Sequence, residues 1–127
     1  MPASAESVAT RQHYVKQEGQ QVFKFAVRKM YEICETLLDR HGLTSKDIKV
    51  LVAHQANRRI IDAVGERLGA KPEQLFVNLH KYGNTSAASV AIALDDAVQH
   101  GRIHRGDLVL LIVFGAGLTW GAAVIEW

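Results

Sequence analysis

Along residues 20–41 the apolar positions Phe23, Ala26, Val27, Met30, Ile33, Cys34, Leu37 and Leu38 recur at steps of three and four, which places them on one stripe of an α-helix. Gly42 supplies the stop. After a turn at Thr44-Ser45-Lys46-Asp47, the β-branched run over residues 48–53 reads as a buried strand. Asn57 then stands as the N-cap of a helix reaching Leu68, with Ile60, Ile61, Val64 and Leu68 inward and Gly69 closing it. The pattern predicts a second strand over 75–78, a loop over 79–84, and a helix over 85–100 whose Ala87, Ala88, Ala91 and Ala97 permit close packing. The most apolar run, 107–114, is a strand, Gly115-Ala116-Gly117 is a turn, and 119–127 returns antiparallel. Residues 1–18 lack sustained periodicity and read as a flexible leader or the remnant of a truncated strand, with a hint of strand only over 8–16. The succession predicts one α/β domain over 19–127, helix layered on sheet.

Composition narrows the class. With 127 residues, 48% of them hydrophobic and 22% charged, the chain is long enough to bury a core without disulfides or metal. Its longest apolar run, 108–114, is strand-sized and far short of a membrane span. A formal charge of +2 without interleaved basic and aromatic residues argues against a nucleic-acid partner. The start, Met1-Pro2-Ala3-Ser4-Ala5-Glu6, has neither the basic nor the apolar region of a signal peptide, and the lone Cys34 precludes an internal disulfide, so a cytoplasmic location is expected.

Three segments carry candidate chemistry. His54-Gln55-Ala56-Asn57 puts an imidazole, an amide and a helix cap where a buried strand runs out, the position at which open α/β sheets bind ligands; the alternative is that His54 only satisfies local backbone. Tyr82-Gly83-Asn84-Thr85-Ser86-Ala87-Ala88-Ser89 enters a helix of small residues. Capping accounts for its polar groups, but not for the density of small side chains after Asn84, which lets other backbone or a slender ligand approach. Phe114-Gly115-Ala116-Gly117-Leu118-Thr119-Trp120-Gly121 is a hairpin connection whose backbone N–H groups can face an oxyanion; without a following helix it is no nucleotide motif.

In this order and at these separations, with Asn84 thirty residues after His54, the three motifs and the run Val22-Phe23-Lys24-Phe25-Ala26-Val27 resemble the C-terminal half of the β-ketoacyl-acyl-carrier-protein synthase III family, within the thiolase-like superfamily. The resemblance covers residues 19–127. It implies one half of a five-layered αβαβα fold, with a mixed sheet and helices on its faces. It further implies a decarboxylative Claisen condensation between an acyl-CoA and malonyl-acyl-carrier protein in fatty-acid biosynthesis, with no cofactor beyond these substrates. His54 and Asn84 take the decarboxylation step; Phe114, Gly115, Ala116 and Gly117 form the oxyanion loop; Asn57 and Arg59 contact the pantetheine arm or the carrier protein, with Arg58, Arg67 and Lys71 extending a basic patch. Ala116 departs from the commoner glycine and preserves the loop only if its φ is negative.

The family's nucleophilic cysteine has no counterpart here. Cys34 falls on the apolar stripe, the setting of an inert core thiol. The expected partners are therefore an N-terminal half bearing the cysteine, acyl-carrier protein and coenzyme A thioesters, and the chain alone is expected to be inactive. Two alternatives stand beside this reading: a binding module that keeps the carrier-protein and pantetheine surface without chemistry, and a purely structural domain that self-associates. His100 and His104 straddle Gly101 without a carboxylate at ligand spacing, which argues against a metal centre.

Overall fold

The computed structural model describes residues 2–14 and 16–127. Four strands, β1 (Val50–Ala53), β2 (Leu75–Phe76), β3 (Leu108–Gly115) and β4 (Thr119–Glu126), form one sheet in the order β2-β1-β3-β4. β1 pairs in parallel with both β2 and β3, and β3 turns back antiparallel into β4, so the sheet is mixed. Parallel neighbours need crossovers. These are supplied by α3 (Arg58–Leu68) between β1 and β2 and by α5 (Ala88–Gln99) between β2 and β3.

Alternation along the strands sorts the core onto two faces. Leu51, Ala53, Leu110 and Ile112 point to one face, where they meet Ala26, Val27, Met30, Cys34 and Leu38 of α2 (Gly19–Arg40) and Ile61 and Val64 of α3. Val50, Val52 and Val109 point to the other, against Ala93 and Ala97 of α5. All four β1 residues are thus buried, as a strand covered on both sides requires. Gly65 lets α3 close onto β2, since a Cβ there would lie 2.7 Å from the methyl carbons of Leu75.

The predicted helix boundaries hold to within a residue for α2 and α3, including the Asn57 side chain accepting the Arg59 N–H and Gly69 in the left-handed C-cap. The first strand is shorter than expected: the Lys49 N–H reaches the Leu108 carbonyl ahead of the regular ladder, but the Ile48 carbonyl is taken by the Gln74 side chain. Three expectations are corrected. Residues 79–84 are not all loop: Leu79–Tyr82 forms a helical turn, α4, whose Lys81 and Tyr82 N–H groups both reach the Asn78 carbonyl. The third long helix begins at Ala88 rather than at 85, because Ser86 adopts a positive φ of 54° that interrupts the helical path, and the cap position falls to Ala87, which has no side-chain acceptor. The hint of strand over 8–16 is also overturned for its described residues: Ala5–Ala9 is a short helix, α1, capped by Ser4, and turns follow it. Met1 and Val15 lie outside the described residues. No helix among the described residues is long and apolar enough to cross a membrane.

Candidate functional site

The β1–β3 ladder runs one residue beyond β1, where the His54 N–H donates to the Ile112 carbonyl at 2.8 Å. This fixes the His54 backbone at the carboxyl end of the parallel strands. Its side chain is half-buried, and burial holds the imidazole below its ordinary pKa, favouring the neutral ring. Nδ1 lies 2.5 Å from Oγ of Ser89, a buried residue in the first turn of α5. The same Oγ accepts the Gln55 N–H at 3.3 Å.

Gln55 is itself buried and fully engaged. Its amide donates to the carbonyls of Ala53 and Phe76, and its oxygen accepts the Asn78 N–H at 3.1 Å. The ends of β1 and β2 are thereby tied together beneath His54. Asn78 continues the network by donating to Asp96 of α5 at 3.0 Å, and Asp96 also accepts the Tyr82 hydroxyl at 3.1 Å. Those bonds, with Lys81 at 3.6 Å, hold the Asp96 carboxyl below the usual carboxylate range. The turn that leads into Asn84 is therefore pinned from behind by α5.

Asn84 is exposed, and its Oδ1 accepts the Ser86 N–H at 2.9 Å, with Ser86 at a positive φ of 54°. That bond turns the amide oxygen toward the backbone and leaves the amide N–H groups, which have no partner among the described residues, available for donation. Across the opening lies the β3–β4 connection. Phe114 packs at a ring distance of 6.1 Å from Phe25 of α2, and Gly115, Ala116 and Gly117 project beyond it. Positive φ among the described non-glycine residues occurs only at Arg11 and Ser86, so Ala116 meets the condition of a negative φ. No backbone hydrogen bond outside the strand ladder takes the N–H of Ala116 or Gly117 among the described residues.

These groups share one cavity of about 820 Å³, whose wall includes His54, Asn57, Asn84, Phe114, Gly115, Ala116 and Gly117. The basic residues singled out in the sequence lie off this wall; the guanidinium of Arg59 sits 5.4 Å above the ring of Phe23, which does line the cavity, so it stands at the rim. Arg67 stacks on Tyr31 and Arg58 is engaged with Asp62 at 2.7 Å, both on α3 or its neighbour. Lys71 does not extend that patch. It follows α3 at the opposite end and lines a different cleft with Lys46, Lys49 and Arg102.

Several contributors were missed. Ser89, Asn78 and Asp96 carried no role in the sequence pattern, although Ser89 closes the second motif and its helical register with Ala93 marks it as inward. Lys16, Gln17 and Glu18, read as leader, form part of the cavity wall. Cys34 is buried at 0% exposure and desolvation pushes its thiol up to about 12, the setting of a core thiol rather than of a nucleophile. No cluster of metal-ligating side chains occurs among the described residues.

A mixed sheet between helices, with a polar cavity at the carboxyl end of its parallel strands, is an open α/β ligand-binding architecture, as the resemblance to the thiolase-like superfamily led us to expect. Comparison with known proteins agrees and narrows it. The chain belongs to the family described as 3-oxoacyl-[acyl-carrier-protein (ACP)] synthase III C terminal, whose model matches residues 38–127. It is 54% identical to the β-ketoacyl-[acyl-carrier-protein] synthase III of Caldanaerobacter subterraneus subsp. tengcongensis over all of this chain and 38% of that protein. It is 51% identical to the same enzyme of Solibacter usitatus over 99% of this chain and 38% of that one. Among solved structures, the 3-oxoacyl-[acyl-carrier-protein] synthase III of Aquifex aeolicus superposes with a TM-score of 0.88 at 46% identity, covering 90% of this chain and 37% of that one. The chain thus spans 38% of the length of the first two relatives.

Proposed function

We propose that this chain supplies the decarboxylation half of a condensing acyltransferase that joins an acyl group from coenzyme A to malonyl-acyl-carrier protein. One observation carries the reading: a half-buried histidine, an asparagine whose oxygen accepts the Ser86 N–H, and a glycine loop face one cavity at the strand ends. In the proposed step the bond from the malonyl α-carbon to its carboxylate breaks and carbon dioxide leaves. The electron pair passes to the thioester carbonyl, whose oxygen becomes an enolate. An imidazole N–H of His54 and an amide N–H of Asn84 donate to that oxygen, two preorganised donors aimed where charge develops. The α-carbon then attacks an acyl-cysteine, a backbone N–H of the loop at Gly115, Ala116 and Gly117 receives the tetrahedral oxyanion, and collapse releases the thiolate.

The cysteine comes, on this reading, from the remaining part of the protein, since the sole thiol here is buried. The cavity is open on the side of Asn84 and the loop, where that part would close it, and β4 presents a free sheet edge to it. Asn57 lines the entry and Arg59 stands at the rim, which suits a pantetheine arm delivered by an acidic carrier protein. Because the described residues hold no accessible thiol, a second reading follows: a domain that binds the carrier without chemistry. Labelled carbon dioxide release from malonyl-acyl-carrier protein separates them. The chain joined by an N-terminal portion with its cysteine replaced by a non-nucleophilic residue should release carbon dioxide, and lose that release on His54→Ala; carrier binding without release would leave the binding module.

A further inference from the structure

The Ser89 hydroxyl has two described partners, and they are of different kinds. The Gln55 N–H donates to its oxygen at 3.3 Å, whereas His54 Nδ1, at 2.5 Å, is able to act in either direction. Ser89 is 1% exposed, so its own hydrogen has no recourse to water. Were Nδ1 protonated, it would donate to Oγ and the hydroxyl hydrogen would have no described acceptor, a penalised state for a buried donor. With Nδ1 bare, the serine hydroxyl donates to it, and both the Gln55 N–H and the Ser89 hydroxyl hydrogen have an acceptor. The ring's other nitrogen, Nε2, then carries the proton, as histidine tautomers are set by the bond that the partner nitrogen makes.

We propose that Ser89 is a positioning residue that fixes the orientation and the Nε2–H tautomer of His54, so that the ring presents a donor to the cavity. The assignment rests on the reading of His54 as an enolate donor, and it adds a cause for that role: an imidazole with its proton on Nδ1 would offer the enolate a lone pair. It also explains the placement of a serine in the first turn of α5. The same helix pins the Asn84 turn through Asp96, so one rigid element indexes both donors.

The test reads the tautomer without turnover. Nitrogen-15 ring correlations are recorded on the 127-residue chain, with His54 assigned among its six histidines by comparison with His54→Ala. The expected wild-type signature is a dominant Nε2–H form. Ser89→Ala, which removes the hydroxyl without enlarging the side chain, should drive the ring toward a mixture of tautomers, and Ser89→Thr, which retains the hydroxyl, should return it to the wild-type signature. In the reconstituted protein Ser89→Ala should lower the carbon dioxide release rate about tenfold with little change in KM, as loss of a ligand-orienting partner does at other sites. A wild-type ring protonated on Nδ1, or a Ser89→Ala ring indistinguishable from wild type, overturns the proposal. Because the tautomer is observed independently of chemistry, a dominant Nε2–H form in a protein that releases no carbon dioxide would uphold the role of Ser89 while removing the reading on which its purpose rests.

Discussion

The two proposed donors are held in opposite ways. His54 stands on a frame of buried polar groups: the strand ladder fixes its backbone, Ser89 meets its ring, and Gln55 locks the ends of β1 and β2 beneath it. Asn84 is exposed on a turn, and its side chain makes one local bond, to Ser86. Its neighbours in the glycine loop are exposed as well. The contrast locates the boundary of what this segment builds by itself. The histidine side is held by the chain's own buried core, whereas Asn84 and the glycine loop are exposed; on the proposed reading, the rest of the protein covers them.

If that division is right, activity and stability separate differently on the two sides. The largest effect is expected on catalysis: in the reconstituted protein, His54→Ala and Asn84→Ala should each lower the condensation rate by about 100- to 1,000-fold, the usual cost of one oxyanion donor. Asn84→Ala should nevertheless leave the chemical-denaturation midpoint of the chain almost unchanged, because it loses a single exposed bond. Gln55→Leu is the opposite probe. It strands the carbonyls of Ala53 and Phe76 and the Asn78 N–H in the interior, and urea unfolding should show a loss of about 2–4 kcal/mol. An Asn84 variant that destabilised the chain as much as the Gln55 variant would break the comparison.

On the loop side, Gly117 adopts a φ of +140°, and a Cβ there would lie 2.5 Å from the Thr119 hydroxyl and 3.3 Å from its backbone N. Gly117→Ala should therefore cost about 1–3 kcal/mol in the same unfolding experiment, confined to the hairpin. The smallest effect concerns pH. Burial holds the His54 pKa in the folded state below its ordinary value of 6.5. Between those two values the unfolded chain binds the extra proton, so stability is complete above about pH 6.5 and declines as pH falls through the depressed folded value. Replacing His54 with Gln should flatten that part of the stability profile, measured as the urea midpoint across pH.

What the sequence revealed follows the same division. The helical stripes of α2 and α3 and the apolar run of β3 were legible because buried side chains recur along them, and β4, none of whose residues is fully buried, followed as the return strand after the glycine turn. The ordered motifs around His54, Asn84 and Phe114 brought together residues that meet at one cavity. The frame was not legible. Ser89 and Asp96 look like ordinary helix positions, and only the folded register shows them facing His54 and Asn78. The first turn of α5 was placed too early because Asn84, Thr85 and Ser86 are strong cap residues, and Asn84 does accept the Ser86 N–H as a cap would, but Ser86 then takes a positive φ of 54° that interrupts the helical path until Ala88. Lys16, Gln17 and Glu18 were invisible as a cavity wall since polar residues carry no periodicity when they line an opening.

The central claim is that this chain furnishes half of a condensing site and lacks only the nucleophile and cover. The direct measurement is formation of ketoacyl-acyl-carrier protein from acetyl-CoA and malonyl-acyl-carrier protein, by the chain alone, by a cysteine-bearing N-terminal portion alone, and by the two combined. The account predicts product only in the combination and its loss with His54→Ala. No product in a combination whose association is confirmed, beside an active full-length relative assayed in parallel, would contradict it.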